Sequence, residues 1–342
     1  MPESDPCFPE IHLHGTAQQR GHAHGEQLRE SIHEVLEYYR SLFQLSDKQL
    51  REEASGYARI IRAFSREYAQ EIEAIAAAAG LHADYIVALN SRSEILNNAG
   101  ISECTSLMNT RSALLAQNWD WSEALEKLVV LVRLQRPDNH SICMLTEPGI
   151  IGKIGMNRAG LGVCLNILKT SERLHGLPVH ILLRAILDCS DIAEVRQLLG
   201  MVGVGKASHI LVGDATGECV SVEFAGSQVL ALQPRDGVLL HSNHYLAEAD
   251  LNDVEAFPST HERLQQATEL IDEDASVQGI HRMLRDQTRG EMSICRPYSE
   301  SAMPGYGKVG TVFTLLMDLA ERTMTIQRGP GMDAATSEVY LG

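Results

Sequence analysis

The stretch ISECTSLMNTRSALLAQNWDW, residues 101–121, decides the fold. It contains Cys104 in a polar setting and ends with Gln117–Trp121, a segment that holds both tryptophans of the chain. The runs TSLMN and SALLAQN are short and β-like, and an Asn-Thr pair separates them. We therefore predict a hairpin that folds the tryptophan segment back beside the cysteine.

The residues before Cys104 have a helical pattern. In residues 25–43, GEQLRESIHEVLEYYRSLF, the apolar side chains recur with a period of about 3.6 residues. A second pattern of this kind begins at Ser46 or Asp47 as N-cap and runs to Gly80, which suits a helix stop. Residues 82–95 predict one more helix.

The residues after Cys104 change to short strands, which continue to about residue 167. A helical pair at 177–201, a second strand set at 209–244, two more helices and a closing strand pair follow. Within the second set, GDATGE and RDG are typical hairpin turns. This order predicts an α+β fold in which helices cover antiparallel sheets, with a helical N-terminal segment (1–103) and a core (104–342).

The composition narrows the range of partners. The chain has 342 residues, a formal net charge of -16 and a pI near 5.3, and an acidic protein repels phosphate backbones, so no nucleic-acid partner is expected.

The first residues, MPESDPCFPEIHLHG, lack the basic and apolar parts of a signal peptide. The most apolar runs are too short to cross a bilayer. These features predict a cytoplasmic protein without a membrane partner.

The seven cysteines are widely spaced and form no CxxC pair, which argues against a disulfide framework or a zinc finger. Most of them lie in apolar runs, as expected for small core residues. Cys104 differs, because Ser102, Glu103, Thr105 and Ser106 surround it with polar groups. It is therefore the cysteine to consider as a nucleophile.

The position of Cys104 at the change from helices to strands suggests that it becomes a new N-terminus. Cleavage of the Glu103–Cys104 bond would free an α-amino group with a pKa near ~7.7–8.0. That group can take the proton of the thiol, so nucleophile and base would sit on one residue. The same thiol can make the cut by attacking the Glu103 carbonyl carbon, which forms a thioester that water opens.

Further motifs follow one another in a characteristic order: HGTAQQRGHAHGEQLRESI, then ECTSLMN with AQNWDW, GKIGMNRAGLGVCLN, GDATGECVSVEF, LLHSNHYL, STHERLQ and TVFTLLMDLAERTMTIQRGPG. In order and spacing they resemble the acyl-coenzyme A:aminopenicillanate acyltransferase family (isopenicillin N acyltransferase-like proteins), a branch of the N-terminal nucleophile hydrolases. The resemblance covers nearly the whole chain. It implies a four-layer αββα sandwich, and a heterodimer of the two fragments after cleavage.

The resemblance also implies roles for single residues. Cys104 would be the nucleophile, and Asp120 would hydrogen-bond near it and orient the amine. Asn243 would donate its side-chain amide to the oxyanion, and one such donor is typically worth about 10²–10³ in rate. Residues that would shape the site or bind substrate are Asn118, Trp119, Trp121, Asn157 and Arg296. Family members often have glycine before the cysteine, whereas this chain has Glu103, which is expected to slow processing.

The implied activity is cleavage of a linear amide, or transfer of its acyl group, through an acyl-enzyme on Cys104. Water is the expected acceptor, because nothing in the sequence marks a coenzyme A site, but acyl-coenzyme A stays a candidate partner. No cofactor is expected. The sequence leaves open which small amide or acyl compound is the substrate, and whether the protein forms a homo-oligomer.

Two other interpretations stay open. Histidine pairs suggest a metal-dependent hydrolase, because an HxH motif can present two ligands to one ion. The histidines concerned are His12, His14, His22, His24, His241 and His244. No acidic ligand cluster stands at a matching place in the sequence, and solvated or capping histidines are expected instead. The other interpretation is a non-catalytic binding protein on the same fold, in which Cys104 never reacts with an acyl group.

Overall fold

The computed structural model describes residues 7–96, 103–172, 174–226, 228–252, 257, 259–331 and 334–341. The helices in these ranges are α1 (Ala17–Gln27), α2 (Arg29–Phe43), α3 (Asp47–Phe64), α4 (Arg66–Ala79), α5 (Ala83–Asn90), α6 (Arg92–Leu96), α7 (Val179–Leu187), α8 (Ile192–Met201), α9 (Thr260–Glu273) and α10 (Val277–Leu284). The strands are β1 (Glu10–His14), β2 (Glu103–Asn109), β3 (Leu114–Ser122), β4 (Val130–Gln135), β5 (Ser141–Thr146), β6 (Ile154–Asn157), β7 (Gly162–Ile167), β8 (Ser208–Gly213), β9 (Cys219–Ala225), β10 (Gln228–Ala231), β11 (Val238–His241), β12 (Ser299–Glu300), β13 (Lys308–Asp318), β14 (Thr323–Arg328) and β15 (Thr336–Tyr340). None of the described helices is both long enough and apolar enough to cross a membrane.

The strands form two sheets that pack face to face. The first sheet has the order β1-β4-β5-β6-β7-β8-β9-β10, and the second has the order β11-β2-β3-β13-β14-β15, with β12 beside β13. The side-chain amide of Gln117 on β3 donates to the Leu165 carbonyl on β7 and accepts from the Leu165 N–H, which joins the sheets at their centre. Helix α7 contacts the first sheet and helices α9 and α10 contact the second. The predicted four-layer αββα sandwich is confirmed.

Strands β2 and β3 lie in the middle of the second sheet, and every residue in both is buried. The alternation of side chains along β2 then divides its residues between the two faces. Ser106 faces the first sheet, where its hydroxyl donates to Asn166 at 2.7 Å. Thr105 faces the outer helices, where its hydroxyl accepts from Arg263 at 2.9 Å. Cys104 therefore shares the inner face with Ser106, and Glu103 shares the outer face with Thr105.

The helix ends in the N-terminal segment follow the local signals. Ser46 caps α3 through a capping box, and Gly80 ends α4 with a positive φ of 74°. The pattern from Ser46 to Gly80 is two helices rather than one, because Ser65 ends α3 and caps the N-terminus of α4. The helical pattern is interrupted at Ser65 because its side chain accepts from the Tyr68 N–H in the first turn of α4.

Three features differ from the predicted pattern. Strand β1 lies in the segment expected to be helical, and it pairs in parallel with β4 at the edge of the first sheet, so the sheets are not purely antiparallel. The turn at residues 235–237 is closed by an antiparallel bridge between Arg235 and Val238, as predicted, but it does not join strands of one sheet, because β10 belongs to the first sheet and β11 to the second. Strand β15 extends the second sheet beyond the closing pair. Each depends on a partner distant in sequence, which periodicity does not show.

Helix α1 lies very close to helix α4. A Cβ atom added at Gly21 would come within 2.3 Å of the Glu71 carbonyl oxygen and 2.8 Å of the Ala74 Cβ. Beside this crossing, Glu71 forms salt bridges with Arg20 at 2.7 Å and with Arg184 of α7 at 3.1 Å. Burial alone would raise the pKa of Glu71, but the two guanidiniums hold it below its usual value. The segment before Cys104 is thus tied to the core by both a sheet edge and a buried ion network.

We expect Gly21→Ala to lower the free energy of unfolding by about 1–3 kcal/mol, because the added methyl group must push two helix backbones apart. The matched control is Gly56→Ala in α3, where the added Cβ meets no atom within 4 Å. That change should raise stability by roughly 0.5–1 kcal/mol, since alanine favours a helix over glycine. Urea unfolding of both variants measures the difference. Equal stabilities would contradict the close crossing of α1 and α4.

Candidate active site

The hairpin predicted from the sequence is present. Strands β2 and β3 pair antiparallel, with Cys104 opposite Trp119 and Glu103 opposite Asp120. Cys104 is 1% exposed and is not in a disulfide. Cys104 is therefore closed off from solvent.

The backbone of Cys104 is held by side chains from three separate elements. Its N–H donates to the side-chain oxygen of Asn243 at 2.8 Å. Its carbonyl oxygen accepts from Arg263 at 2.6 Å and from Asn166 at 3.1 Å. Both backbone groups beside the predicted cleavage point are thus fixed by buried polar side chains.

Asn243 lies just after β11, and its amide is itself fixed. Its side-chain oxygen also accepts from Arg263 at 2.7 Å, and its side-chain nitrogen donates to the Ile167 carbonyl at 3.0 Å. Its backbone N–H donates to the Thr260 hydroxyl at 2.7 Å, which joins it to the start of α9. These contacts direct the side-chain oxygen of Asn243, and not its nitrogen, toward the Cys104 N–H.

A buried polar chain supports the same region from the first sheet. The ring of His209 hydrogen-bonds with Asn166 at 3.0 Å and stacks on the ring of His241, with centroids 3.6 Å apart. His241 in turn pairs with Glu223 at 2.8 Å. Burial, followed by the neighbouring His241, holds the pKa of His209 well below its usual value. The Asn166 side chain thus lies between His209 and the Cys104 carbonyl.

Asp120 lies on the outer face of β3, opposite Glu103. Its Oδ1 accepts from the Thr311 hydroxyl at 2.7 Å, and its Oδ2 is buried with no hydrogen-bond partner among the described residues. Burial raises the pKa of Asp120 to about 7; the Glu103 charge adds to this, while Arg263 and Arg296 oppose it. Buried side-chain oxygen atoms without a partner are rare in folded proteins.

Glu103 has a buried carboxylate that pairs with two arginines. Its Oε1 accepts from Arg296 at 2.7 Å. Its Oε2 faces Arg263 at 3.4 Å and accepts from the Ser259 hydroxyl. The carboxylate before the predicted cleavage point is therefore clamped between two guanidinium groups.

Sequence reasoning missed Arg263, which contacts Glu103, Cys104, Thr105 and Asn243. The motif STHERLQ contained it, but no local pattern distinguishes a helical arginine that points inward. Arg296, by contrast, was expected to hold the site or bind a carboxylate. The structure places it on the carboxylate of Glu103, and its Nε has no partner among the described residues.

The tryptophans lie on the inner face, with Cys104. Trp119 and Trp121 stack with ring centroids 6.2 Å apart, and the Lys153 ammonium lies 3.1 Å from the Trp119 ring centroid. Burial lowers the pKa of Lys153 to about 7, although its salt bridge with Glu147 opposes the shift. This buried lysine, which the sequence did not reveal, lies on the same side of the sheet as Cys104.

The two asparagines expected to shape the site have mainly structural contacts. Asn118 donates to the Leu284 and Ile294 carbonyls at 2.9 Å each, which ties the α10 region to β3. Asn157, the last residue of β6, donates to the Leu187 and Cys189 carbonyls at 3.0 and 2.7 Å. Both side chains fasten helix ends to the sheets.

The histidines do not form a shared cluster. Among the described residues, no three His, Cys, Asp or Glu side chains lie close enough together to hold a metal ion. His24 is buried and accepts from the Gly149 N–H at 2.9 Å, and burial lowers its pKa to about 4. His244 hydrogen-bonds with Thr260 at 2.9 Å. The geometry gives these side chains separate packing and hydrogen-bonding roles.

Solved structures resemble this chain in fold. A cysteine-to-alanine mutant of conjugated bile acid hydrolase from Clostridium perfringens matches 69% of this chain and 92% of its own, with a TM-score of 0.50 and 12% identity. Penicillin V acylase from Agrobacterium tumefaciens matches 68% and 84%, with a TM-score of 0.43 and 12% identity. At such low identity the first of these matches supports the fold alone.

Sequence comparison goes further. A curated relative from Emericella nidulans, the acyl-coenzyme A:6-aminopenicillanic-acid-acyltransferase 40 kDa form, is 28% identical over 333 residues, covering 92% of this chain and 91% of the relative. The profile of the family described as acyl-coenzyme A:6-aminopenicillanic acid acyl-transferase matches residues 107–331, which is more than half of the chain. The chain therefore belongs to the acyl-coenzyme A:6-aminopenicillanic acid acyl-transferase family.

Proposed function

We propose that this protein is a self-processing cysteine amidohydrolase or acyltransferase, with Cys104 as nucleophile and new N-terminus. Membership in the family makes it an enzyme that cleaves amides or transfers acyl groups. The observation that carries the finer proposal is the hydrogen bond from the Cys104 N–H to Asn243, on the nitrogen that cleavage would turn into an amine. The unfilled Oδ2 of Asp120, across the strand pair, supports it.

Processing would use only groups at the hairpin. The Cys104 sulfur attacks the Glu103 carbonyl carbon, the C–N bond breaks, and the departing nitrogen takes the thiol proton. This leaves a thioester and a free α-amine. Water then adds to the thioester and releases Glu103 with a new carboxylate and Cys104 with its thiol. Asn243 holds the departing nitrogen throughout, since that nitrogen already donates to it in the uncleaved chain.

After cleavage the α-amino group of Cys104 would have two acceptors. Asn243 already accepts from this nitrogen. Asp120 lies opposite Glu103 in the strand pair, and its Oδ2 has no hydrogen-bond partner among the described residues, so it is the second proposed acceptor. The amine then serves as general base for the thiol, and Asp120 orients it.

In turnover the thiolate would attack the carbonyl carbon of an amide or thioester. The acyl group moves to sulfur, and the leaving group, an amine from an amide or a thiol from a thioester, takes the proton held by the α-amino group. Water or a second amine then releases the acyl group. The Asn243 side-chain nitrogen is the proposed donor to the oxyanion. Trp119 and Trp121 would exclude water on the inner face.

The partners of the proposed enzyme are small amide or acyl compounds. Acyl-coenzyme A is a candidate donor, because the relative at 28% identity carries that compound in its name. The two fragments would stay together as a heterodimer. A cytoplasmic location stays a prediction from the sequence.

The test is the intact mass of freshly purified protein, with a denaturing gel. We expect two fragments, residues 1–103 and 104–342, with the larger beginning at Cys104. A single full-length chain that acquires no activity on amides after incubation would contradict the proposal. A full-length chain that is active would show that Cys104 works as an internal residue, and that the α-amino group is not the base.

The raised pKa of Asp120 predicts a pH dependence in the uncleaved protein. Unfolded chains lose this proton above pH 3.8, whereas the folded chain keeps it to about pH 7. The contribution of Asp120 to stability is therefore fully present below pH 3.8, falls between these values and is lost above about 7. We expect Cys104→Ala to lose up to about 1.4 kcal/mol per pH unit more than Cys104→Ala/Asp120→Asn across this window. Urea unfolding at several pH values compares them, and parallel curves would show that Asp120 is ionised throughout.

A further inference from the structure

In the proposed processing reaction, Glu103 supplies the acyl group that moves to the Cys104 sulfur. When the Cys104 sulfur attacks it, the Glu103 carbonyl becomes the thioester carbonyl, and the Glu103 side chain branches from the adjacent carbon. A substrate acyl group forms its thioester on the same sulfur. The side chain of Glu103 therefore marks where a substituent of a substrate acyl group would lie, provided the proposed function holds.

That substituent ends in a carboxylate held by a built anion site. The Glu103 side chain is 3% exposed, between Arg263 at 0% and Arg296 at 13%. Arg296 and Arg263 lie at 2.7 and 3.4 Å from its two oxygens, and the Ser259 hydroxyl donates to the second. Ser259 is itself fixed by Arg263 Nε at 2.9 Å. The groups that hold the carboxylate come from the region of α9 and from the segment before β13.

Cleavage would unbalance the charges at this place. In the uncleaved chain two carboxyl groups, Glu103 and Asp120, face the two guanidiniums. Departure of Glu103 leaves only Asp120, and the new α-amino group adds further positive charge. Buried cations without a partner are strongly unfavourable. The vacated position would therefore favour an anion.

Arg296 has room for a stronger contact than the one it makes. Only one of its terminal nitrogens binds Glu103, and its buried Nε has no partner among the described residues. A free carboxylate can accept from two guanidinium nitrogens on one edge, Nη2 with either Nη1 or Nε, which is the strong geometry for arginine. A small substrate is not tethered to β2, so it can adopt that geometry where Glu103 does not.

We propose that Arg263 and Arg296 form a carboxylate subsite for the acyl group, so that the preferred substrates are monoamides of glutaric-acid-type acids. The carbon skeleton follows from Glu103, whose side-chain carboxylate is separated from the thioester carbonyl by three carbons. Glutaryl amides and α-linked glutamyl amides both have this spacing. Acyl groups of the same length that end in a methyl group supply no carboxylate in place of the one that Glu103 gives to the two arginines.

The test compares two anilides with the matured enzyme. Glutaryl-para-nitroanilide and pentanoyl-para-nitroanilide have acyl chains of equal length and differ in the terminal carboxylate. We expect kcat/KM to be about 10–100-fold higher for the glutaryl compound, as one charged hydrogen-bonded pair warrants. The difference should appear mainly in KM. Arg296→Gln should lower this ratio by about tenfold, and Arg296→Lys should keep part of it.

A second measurement needs no variant and covers a failure of Arg296→Gln to mature. Free glutarate should inhibit the wild-type enzyme at a concentration at least about tenfold lower than pentanoate. If both anilides are cleaved equally and both acids inhibit equally, the subsite is wrong and the proposed function stands. If the chain stays whole and cleaves neither anilide, the proposed function fails, and the subsite fails with it.

Discussion

Cys104→Ala is expected to stay a single chain and to lose activity by a factor of roughly 10⁴–10⁶, the loss typical for removal of a nucleophile. Alanine has no sulfur to attack the Glu103 carbonyl, so neither processing nor acyl-enzyme formation can begin. Intact mass measures the first effect, and initial rates with an anilide or thioester measure the second.

Cys143→Ala is the matched control for that variant. Cys143 is also a buried cysteine, on β5, and burial raises its pKa to about 12, so it is an inert core thiol. Its replacement should leave two fragments and an unchanged rate, with a modest loss of stability. Fragments or turnover in Cys104→Ala would show that another residue is the nucleophile.

Asn243→Ala is expected to lower kcat by about 10²–10³-fold in the matured enzyme, through loss of the proposed oxyanion donor. The structure complicates this interpretation, because Asn243 also accepts from the Cys104 nitrogen and from Arg263. Alanine removes both functions at once. A second variant is needed to separate donor from acceptor.

Asn243→Asp makes that separation. Aspartate keeps an acceptor for the Cys104 nitrogen and for Arg263, but it has no donor for an oxyanion. If donation matters, Asn243→Asp should lose as much kcat as Asn243→Ala. A near-normal kcat in the aspartate variant would mean that Asn243 acts by holding the amine, and that the oxyanion donor is elsewhere. Intact mass of each variant first establishes that it has matured.

The features that the sequence revealed are local ones. Ser46 and Gly80 announce helix ends because a capping hydroxyl and a positive φ depend on the residue itself. The hairpin at Cys104 was predictable because its two strands are neighbours in the chain. The four-layer sandwich followed from the order of elements together with the family resemblance.

The features that the sequence concealed depend on distant partners. Arg263 reaches Cys104 across 159 positions, and a helical arginine looks solvated until the fold turns it inward. Lys153 and Glu147 lie close in the chain, but the burial that lowers the pKa of Lys153 comes from the packing of both sheets. In the sequence, Glu103 is only a departure from the glycine that is common in the family. Its pairing with Arg263 and Arg296 depends on the fold and is not visible in the sequence.

The parallel pairing of β1 with β4 changes how the matured protein would melt. Residues 1–103 supply an edge strand of the first sheet and both Arg20 and Glu71 of the buried network. Once the peptide bond before Cys104 is cut, unfolding releases two separate molecules, whereas the uncleaved chain unfolds as one. The Tm of the matured protein should then rise with total protein concentration, while that of Cys104→Ala stays constant. Dilution would therefore lower the Tm of the matured protein and leave the Tm of the uncleaved Cys104→Ala chain unchanged.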